Sequence, residues 1–323
     1  GRVKTDIIKG YQLDRGFQVL LTAYPAVQKY LDLEKLNLQK ITPGSVVFID
    51  NKKKIIGDPS RDFSLLLPTL FSGIGTFLDR MKIFTLSQRL KRKSIYSIFT
   101  QNEQSTLTYL VGYGFSKRII NEFFKPFFSG IFLETKLDTS SRMFEFIFKM
   151  FDEGYAAIPK DGMEAIPKQI YHSLKRATFI FNSKAVSVDE KNIILDDKRV
   201  LKSDYTIVAN EGRGLMKDVN ECLWKSCDTL YFTTKSRVIT GKIIGLIEEE
   251  NSLINNIFYH TSLDTSLRSS DELLSVTVIN NRNLSEVPLI EQVIQELKDY
   301  CGIENPTFVK KYRIDKALPE ITN

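Results

Sequence analysis

The chain has 323 residues, of which 42% are hydrophobic and 26% are charged, and its formal net charge is +6. This composition excludes an intrinsically disordered protein. The length predicts about two domains, because a single core stops growing at roughly 250 to 300 residues. The 22 phenylalanines and 13 tyrosines supply enough apolar volume for a large core and for an apolar cavity beside it.

The cysteine and histidine content excludes several kinds of site. Cys222, Cys227 and Cys301 form neither a disulfide framework nor a zinc pattern, and they favour a reducing, cytoplasmic compartment. His172 and His260 stand far apart in the sequence, without a local acidic or nucleophilic companion pattern. We therefore expect no metal site and no Ser-His-Asp centre.

Charge and hydropathy also restrict the partners of the chain. The basic clusters at 52–54 and 89–93 are short, which favours solvated faces over a nucleic-acid or membrane patch. The longest uncharged stretch, 63–78, contains a proline and two glycines and falls short of the roughly 20 apolar residues of a membrane helix. We expect no transmembrane span and no nucleic-acid partner, and peripheral contact with a membrane stays open as an alternative.

The predicted elements begin with strands and continue with helices. A strand pattern runs from Gly10 to Leu21 with a break at Gly16, and a hairpin with lysines at its turn runs from Ser45 to Gly57. Ser116 is the predicted N-cap of the third helix, and Thr139 or Ser140 is the predicted N-cap of the fourth. The four predicted helices of this region are 74–94, 105–112, 116–133 and 140–153.

The second half of the chain is predicted to alternate strands with two helices. Short apolar runs bounded by turn residues predict the strands, and apolar periodicity predicts the helices. The predicted helices are 163–175 and 287–301. The predicted strands are 178–181, 184–188, 192–195, 203–209, 229–234, 241–247, 254–260, 274–279 and 307–312.

Nine phenylalanines lie on the predicted helices 116–133 and 140–153. Their spacings of three and four residues put several rings on one face of each helix. Core packing is the favoured interpretation. The wall of an apolar pocket is the alternative, because each ring contributes roughly 150 to 250 Å² of buried surface.

Four segments stand in a characteristic order along the chain. They are GRVKT at 1–5, LDRGFQVLLTAYP at 13–25, FKPFFSGIFL at 124–133 and IPKDGM at 158–163. In this order the chain resembles the FAD-dependent amine oxidase and phytoene desaturase-like oxidoreductases. The predicted strands at 182–188 and 204–209 are similar to a second flavin-side strand pair of that family.

The resemblance implies an α/β fold in which a Rossmann-like FAD-binding domain of the glutathione-reductase type is interleaved with a mixed α+β substrate domain. The FAD-binding domain would comprise residues 1–40 and 155–224, and the substrate domain would comprise residues 41–154 and 225–323. The implied cofactor-binding residues are Gly1, Arg2, Thr5, Asp14, Gly16, Gln18 and Ala185.

Four of these residues have an implied physical role. The Arg2 guanidinium would bind the diphosphate of FAD bidentately. Gly1 and Gly16 would let the backbone approach the cofactor where a Cβ would collide. The backbone of Ala185 would meet the adenine ring.

The chain departs from the family at both ends. The phosphate-binding G-x-G-x-x-G turn should precede Gly1, and a glycine-rich flavin-side segment should follow Asn323, but neither is present in the sequence. We therefore expect this chain to be the interior of a longer protein. We also expect its incomplete FAD-binding domain to hold FAD weakly by itself.

The resemblance implies an FAD-dependent oxidoreductase that transfers hydride from an apolar, polyene or lipid-like substrate to the flavin. No side chain is identified as a catalytic residue, and no oligomeric state is predicted. The alternatives are a flavin-dependent amine oxidase, a polyene cis-trans isomerase without net oxidation, and a non-enzymatic protein that binds apolar ligands.

Overall fold

The computed structural model describes residues 3–209, 215, 222–267, 269–279 and 283–320. The strands within these residues are β1 Thr5–Ile8, β2 Tyr11–Asp14, β3 Leu20–Leu21, β4 Leu38–Lys40, β5 Gly44–Ile49, β6 Lys52–Gly57, β7 Ala156–Pro159, β8 Ala185–Val188, β9 Asn192–Leu195, β10 Val200–Lys202, β11 Trp224–Thr234, β12 Ile244–Ile247, β13 Ile254–Tyr259, β14 Glu272–Val278 and β15 Thr307–Pro319. The helices are α1 Pro25–Tyr30, α2 Leu66–Phe71, α3 Phe77–Arg92, α4 Ile95–Phe99, α5 Thr106–Gly112, α6 Lys117–Ile119, α7 Lys125–Phe132, α8 Ser141–Glu153, α9 Ala165–Ser173 and α10 Glu286–Cys301.

A seven-stranded mixed sheet organises most of the structure, in the order β15-β11-β14-β13-β12-β5-β6. Its pairs are antiparallel except for the parallel pair of β12 with β5. Side chains of β5 alternate between the two faces, as strand geometry requires. Val46 and Phe48 pack in the core with α10, and Val47 and Ile49 pack in the core with the helices of the 63–153 region.

The predicted hairpin at 45–57 is confirmed as β5 and β6. Its turn, however, is formed by Asp50 and Asn51, whose φ angles of 50° and 56° match the left-handed conformation that tight hairpin turns need. The lysines of this hairpin lie on β6, so the prediction that they form the turn was wrong. Asp and Asn tolerate the left-handed region better than lysine does.

The helices predicted between 74 and 153 are confirmed. Ser116 and Ser140 are their N-caps, because the Ser116 hydroxyl accepts from the amide of Ile119 and the Ser140 hydroxyl accepts from that of Arg142. The 116–133 helix is not uniform, since a π-helical turn at Ile120–Phe124 lies between α6 and α7.

The phenylalanine-rich helices divide their rings between two environments. Phe124, Phe128, Phe132 and Phe144 are buried, and the ring centroids of Phe128 and Phe144 lie 4.7 Å apart. Core packing is confirmed for these four. The other five rings are half-buried: Phe123, Phe127, Phe146, Phe148 and Phe151.

The chain forms two compact units, one comprising Gly1–Tyr171 with Trp224–Asn323 and the other comprising His172–Leu223. The second unit contains a small antiparallel sheet in the order β10-β9-β8. The strands predicted at 178–181 and 203–209 were wrong, because neither segment pairs as a strand. The assignment of an FAD-binding and a substrate domain stays a prediction.

None of the helices in the described ranges is long and apolar enough to cross a lipid bilayer.

Candidate functional site

The β1–β2 hairpin contacts the turn that precedes α9. Thr5 stands opposite Asp14 in the hairpin, and its hydroxyl donates to Asp14 Oδ1 at 2.5 Å. The backbone amide of Met163 donates to the same oxygen at 2.9 Å, and the amide of Glu164 donates to the Thr5 hydroxyl at 3.1 Å. We call Thr5, Asp14 and residues 162–164 the hairpin–turn junction. Residues from three of the four sequence segments therefore meet at one place.

Gly162 makes the close contact at this junction possible. Its φ of +80° lies in the left-handed region, where side chains are rarely found. An added Cβ would lie 2.6 Å from Thr5 Cγ2 and 3.0 Å from Thr5 Cβ. Glycine is therefore required both for the backbone conformation and for the approach of Thr5.

Asp14 is buried at the junction, and its carboxylate is only partly used by the protein. Burial raises the pKa of Asp14 above its ordinary value, against the effect of the hydrogen bonds from Thr5 and Met163. Its main-chain carbonyl accepts from the Tyr231 hydroxyl at 2.8 Å, which fixes the end of β2. Its second carboxylate oxygen, Oδ2, accepts no hydrogen bond from the described residues.

The segment after β2 leaves the junction through Gly16. The φ of Gly16 is +100°, and an added Cβ would lie 3.0 Å from Ile314 Cδ1. The close approach at Gly16 is therefore to a protein side chain. Phe17 is held by a 3.4 Å hydrogen bond from its amide to the Thr229 hydroxyl. The half-buried side chain of Gln18 makes no hydrogen bond within the described part of the chain.

These groups fit a cofactor rich in hydroxyls and polar ring edges, such as FAD. The Asp14 Oδ2 atom and the half-buried Gln18 amide have no hydrogen-bond partner among the described residues, so both are available to a ligand. The carboxylate can accept hydrogen bonds from hydroxyl groups, whereas it would repel a diphosphate. The Gln18 amide can both donate and accept.

The predicted cofactor residues have different places in the structure. Thr5, Asp14 and Gly16 lie at the junction or directly after it, and Gln18 follows two residues later. Ala185 begins β8, opposite Leu195, in the smaller compact unit. Gly1 and Arg2 lie outside the described residues. The cofactor role of each of these residues stays a prediction.

Two contributors to the junction were missed in the sequence. The Met163 amide belongs to the quoted segment IPKDGM, so its position near the cofactor side could have been found from that motif. Tyr231 gives no such signal, because its hydroxyl reaches Asp14 from a strand 217 residues further along the chain.

His260 is buried behind the segment that follows Gly16. Its Nε2 lies 3.0 Å from the Ser275 hydroxyl, and its ring meets Phe258 edge-on at 5.3 Å and Phe17 at 6.1 Å. Burial lowers the pKa of His260 to about 4. The imidazole is therefore neutral in the folded protein at neutral pH, and it packs as part of the core under Phe17.

We expect His260 to make the protein less stable in mild acid. The unfolded chain takes up a proton near the ordinary pKa of 6.5, whereas the folded chain resists protonation down to about 4. Stability is therefore lost as the pH falls from 6.5 towards about 4. The expected loss between roughly pH 7 and pH 5 is about 2 kcal/mol. Urea unfolding of the wild type and of His260→Gln at both pH values measures this loss. Equal losses in the two proteins would contradict the assignment.

Comparisons with known proteins identify the family and the fold of the chain. The sequence profile of the family described as flavin containing amine oxidoreductase matches residues 1–312. An oxidoreductase from Methanosarcina mazei superposes with a TM-score of 0.70 at 18% identity, covering 97% of this chain and 79% of that one. A protein assigned as a protoporphyrinogen oxidase, from Exiguobacterium sp. 255-15, superposes with a TM-score of 0.69 at 15% identity. The match covers 100% of this chain and 79% of that chain.

Putrescine oxidase bound to putrescine has the same fold, with a TM-score of 0.64 at 13% identity over 99% of this chain and 79% of that chain. No curated protein sequence matches the chain. The predicted fold class, an α/β fold of the FAD-binding oxidoreductase type, is confirmed by these similarities and by the large mixed sheet.

Proposed function

The chain belongs to the flavin containing amine oxidoreductase family and is an FAD-dependent oxidoreductase, and on this premise we propose that it oxidises a large, mostly uncharged substrate such as a polyene or another lipid-like compound. FAD, when bound, accepts the hydride that a substrate C–H bond gives up. The side chains of the protein hold the cofactor, position the substrate and exclude water.

The proposal rests on the carboxylates of the phenylalanine-rich helices, which are almost all bound by other protein groups. A substrate ammonium group needs a free carboxylate or an aromatic cage. On residues 116–153, every carboxylate except the exposed Asp138 is already bound by protein groups. The pairs are Glu122 with Arg118, Glu134 with the amides of Lys136, Leu137 and Thr139, Glu145 with Lys93 and Arg89, Asp152 with Ser87 and Lys91, and Glu153 with Lys149.

The half-buried rings of the same helices supply apolar surface instead. Tyr24, in the segment that leaves the candidate cofactor site, stacks on Phe146 at a centroid distance of 5.7 Å. Phe127 and Phe151 meet edge-on at 5.3 Å. Apolar and aromatic side chains with few charges are the usual lining of sites for uncharged ligands. These contacts support an apolar substrate, and the bound carboxylates disfavour an amine.

Anaerobic flavin reduction tests the substrate class. The FAD-loaded protein is mixed without oxygen with a panel of apolar polyenes and lipids and, separately, with putrescine and longer primary amines. We expect at least one apolar compound, and no amine, to bleach the flavin absorbance within a turnover time. Fast bleaching by an amine and none by any apolar compound would overturn the proposal. Conversion of a polyene to its geometric isomer without bleaching would favour the isomerase.

We also propose that Thr5, Asp14, Gly16 and Gln18 hold FAD, with Asp14 as acceptor for a cofactor hydroxyl. Asp14→Asn preserves the shape of the side chain but removes the negative charge. Because a hydrogen bond to a charged group contributes about 1.5 to 3 kcal/mol, the variant should bind FAD at least about tenfold more weakly. Titration of the apoprotein with FAD, followed by flavin fluorescence, measures the change.

Asp32→Asn is the matched control, because Asp32 is an exposed carboxylate paired with Lys35. Its FAD affinity should equal that of the wild type. If Asp14→Asn keeps wild-type affinity and wild-type melting temperature, Asp14 does not contact the cofactor.

A further inference from the structure

Helix α3 exposes apolar side chains on the face opposite its buried side. Phe77, Met81 and Phe84 recur at intervals of four and three residues, and all three are exposed. Leu86 and Leu90 are buried on the other side of the helix, about half a turn away at roughly 100° per residue. An amphipathic helix of a folded protein ordinarily turns such a stripe inward.

The preceding turn and helix α2 enlarge this exposed surface. The Arg80 guanidinium donates to the carbonyl of Leu70 at 3.1 Å and so joins the end of α2 to the first turn of α3. We define the apolar patch by its exposed residues, Phe63, Leu67, Leu70, Phe71, Phe77, Leu78, Met81 and Phe84. Monomeric proteins seldom expose large apolar patches, and such a patch ordinarily marks an interaction site.

The patch is rigidly displayed. Thr76 and Asp79 form a capping box at the start of α3, and Asp79 also accepts from the hydroxyl and amide of Ser116 at 2.6 and 2.8 Å. These bonds hold the Asp79 side of α3 inward. The aromatic rings of the patch therefore belong to a fixed, folded surface.

The sequence segment that carries the patch is mostly basic. Residues 63–102 contain six basic residues and a single acidic one, Asp79, which is buried. Lys91 and Arg92 follow Phe77 by 14 and 15 residues, which places them on the same face of α3 as the apolar stripe, beyond Phe84. Both are exposed. The exposed face of α3 is therefore apolar at its N-terminal end and basic at its C-terminal end.

We propose that the apolar patch and its basic end bind the surface of an anionic lipid bilayer. The rings would enter the boundary between headgroups and acyl chains, and Lys91 and Arg92 would lie among the lipid phosphates. A second copy of this chain fits less well, because the segment offers no exposed carboxylate to neutralise the basic residues of its partner. The helix would lie on the membrane rather than span it.

Vesicle cosedimentation tests the proposal without need of FAD or substrate, so that its failure is distinct from failure of the proposed function. The protein is sedimented with vesicles of phosphatidylcholine alone and of phosphatidylcholine with phosphatidylglycerol. The wild type should bind the anionic vesicles, and more weakly the neutral ones. Phe71→Ser with Phe77→Ser should weaken binding to the anionic vesicles at least about tenfold.

Two further variants separate the electrostatic contribution to vesicle binding from a general effect of removing exposed apolar side chains. Lys91→Gln with Arg92→Gln should weaken binding to anionic vesicles about tenfold and leave binding to neutral vesicles nearly unchanged. Tyr30→Ser with Val287→Ser is the matched control: Tyr30 and Val287 are 65% and 63% exposed, against 82% and 67% for Phe71 and Phe77, and they lie outside the patch. The control should bind like the wild type.

Two results would overturn the proposal. One is a wild type that stays in the supernatant with anionic vesicles, or that binds no better than the patch variant. The other is a concentration-dependent dimer, seen by analytical ultracentrifugation, that Phe71→Ser with Phe77→Ser abolishes while vesicle binding is absent. That outcome would assign the patch to a second copy of the chain.

Discussion

Replacement of Gly162 by valine is expected to destabilise the protein by about 4 kcal/mol and to break the hairpin–turn junction. The φ of +80° is strained for a β-branched residue, and the new Cβ would lie 3.0 Å from the Cβ of Thr5. A side-chain rotation cannot relieve that contact, because it involves the first carbon of the Thr5 side chain. Thr5 must move as a whole, and it then loses its hydrogen bonds to Asp14 and from Glu164.

Gly241→Val is the control for the clash. The φ of Gly241 is +89°, close to that of Gly162, but apart from its chain neighbours no atom of the described residues lies within 4 Å of an added Cβ. Its substitution therefore carries the backbone strain alone. Urea unfolding of both variants should show Gly162→Val less stable than Gly241→Val by at least about 2 kcal/mol. Equal losses would show that Thr5 and Gly162 are not packed as described.

Replacement of Glu145 by alanine is expected to cost about 3 kcal/mol of stability. The buried carboxylate accepts from Lys93 at 2.6 Å, Tyr109 at 2.7 Å, Gln101 at 2.9 Å and Arg89 at 3.0 Å, and so joins α3, α5 and α8. Its removal leaves the Tyr109 hydroxyl without its acceptor and leaves the Lys93 ammonium, among the described residues, with only the Gln101 side-chain oxygen. Glu103→Ala is the control, because Glu103 forms a more exposed pair with Arg142 at 3.5 Å and should cost less than about 1 kcal/mol.

The effect of Glu145 should depend on pH. Burial opposes ionisation of Glu145, but the hydrogen bonds from Lys93, Tyr109 and Gln101 outweigh it and hold its pKa below the ordinary value of 4.5. A lowered folded-state pKa stabilises the protein above the unfolded value, and this stabilisation is lost as the pH falls through the folded value. The difference between wild type and Glu145→Ala should therefore be full at neutral pH and shrink in acid. A constant difference down to roughly pH 3 would contradict this network.

The helices of the 74–153 region could be predicted because their signals are local. Ser116 and Ser140 are caps, and the apolar spacing that follows each one lies within a single helix. The strands predicted at 178–181 and 203–209 failed for the opposite reason. A strand forms only when a partner strand is available, and an apolar run alone does not specify that partner.

The candidate site could be predicted only in part for the same reason. Resemblance indicated the residues around Thr5, Asp14 and Gly162. Their contact, however, depends on the tertiary structure, because Asp14 and Met163 are 149 residues apart in the sequence. The space next to Gly16 is filled by Ile314, which no local pattern indicates.

The exposed face of α3 shows a further limit of sequence patterns. Phe77, Met81 and Phe84 have the spacing of a buried stripe, and the basic cluster at 89–93 has the composition of a solvated face. The helix instead buries the side that carries Asp79, because Thr76 and Ser116 satisfy that carboxylate. Apolar side chains lie on both sides of α3, with Leu86 and Leu90 beside Asp79 on the buried side, so hydropathy alone does not assign its orientation.

The central claim, that this chain is part of an FAD-dependent oxidoreductase, is tested most directly by the flavin content of the full-length gene product. The protein is purified by gel filtration, and its flavin absorbance is compared with its protein absorbance. We predict a yellow protein with about one FAD per chain, because the cofactor carries the redox chemistry of the family. A colourless protein that elutes as a folded species and binds no added FAD would contradict the claim.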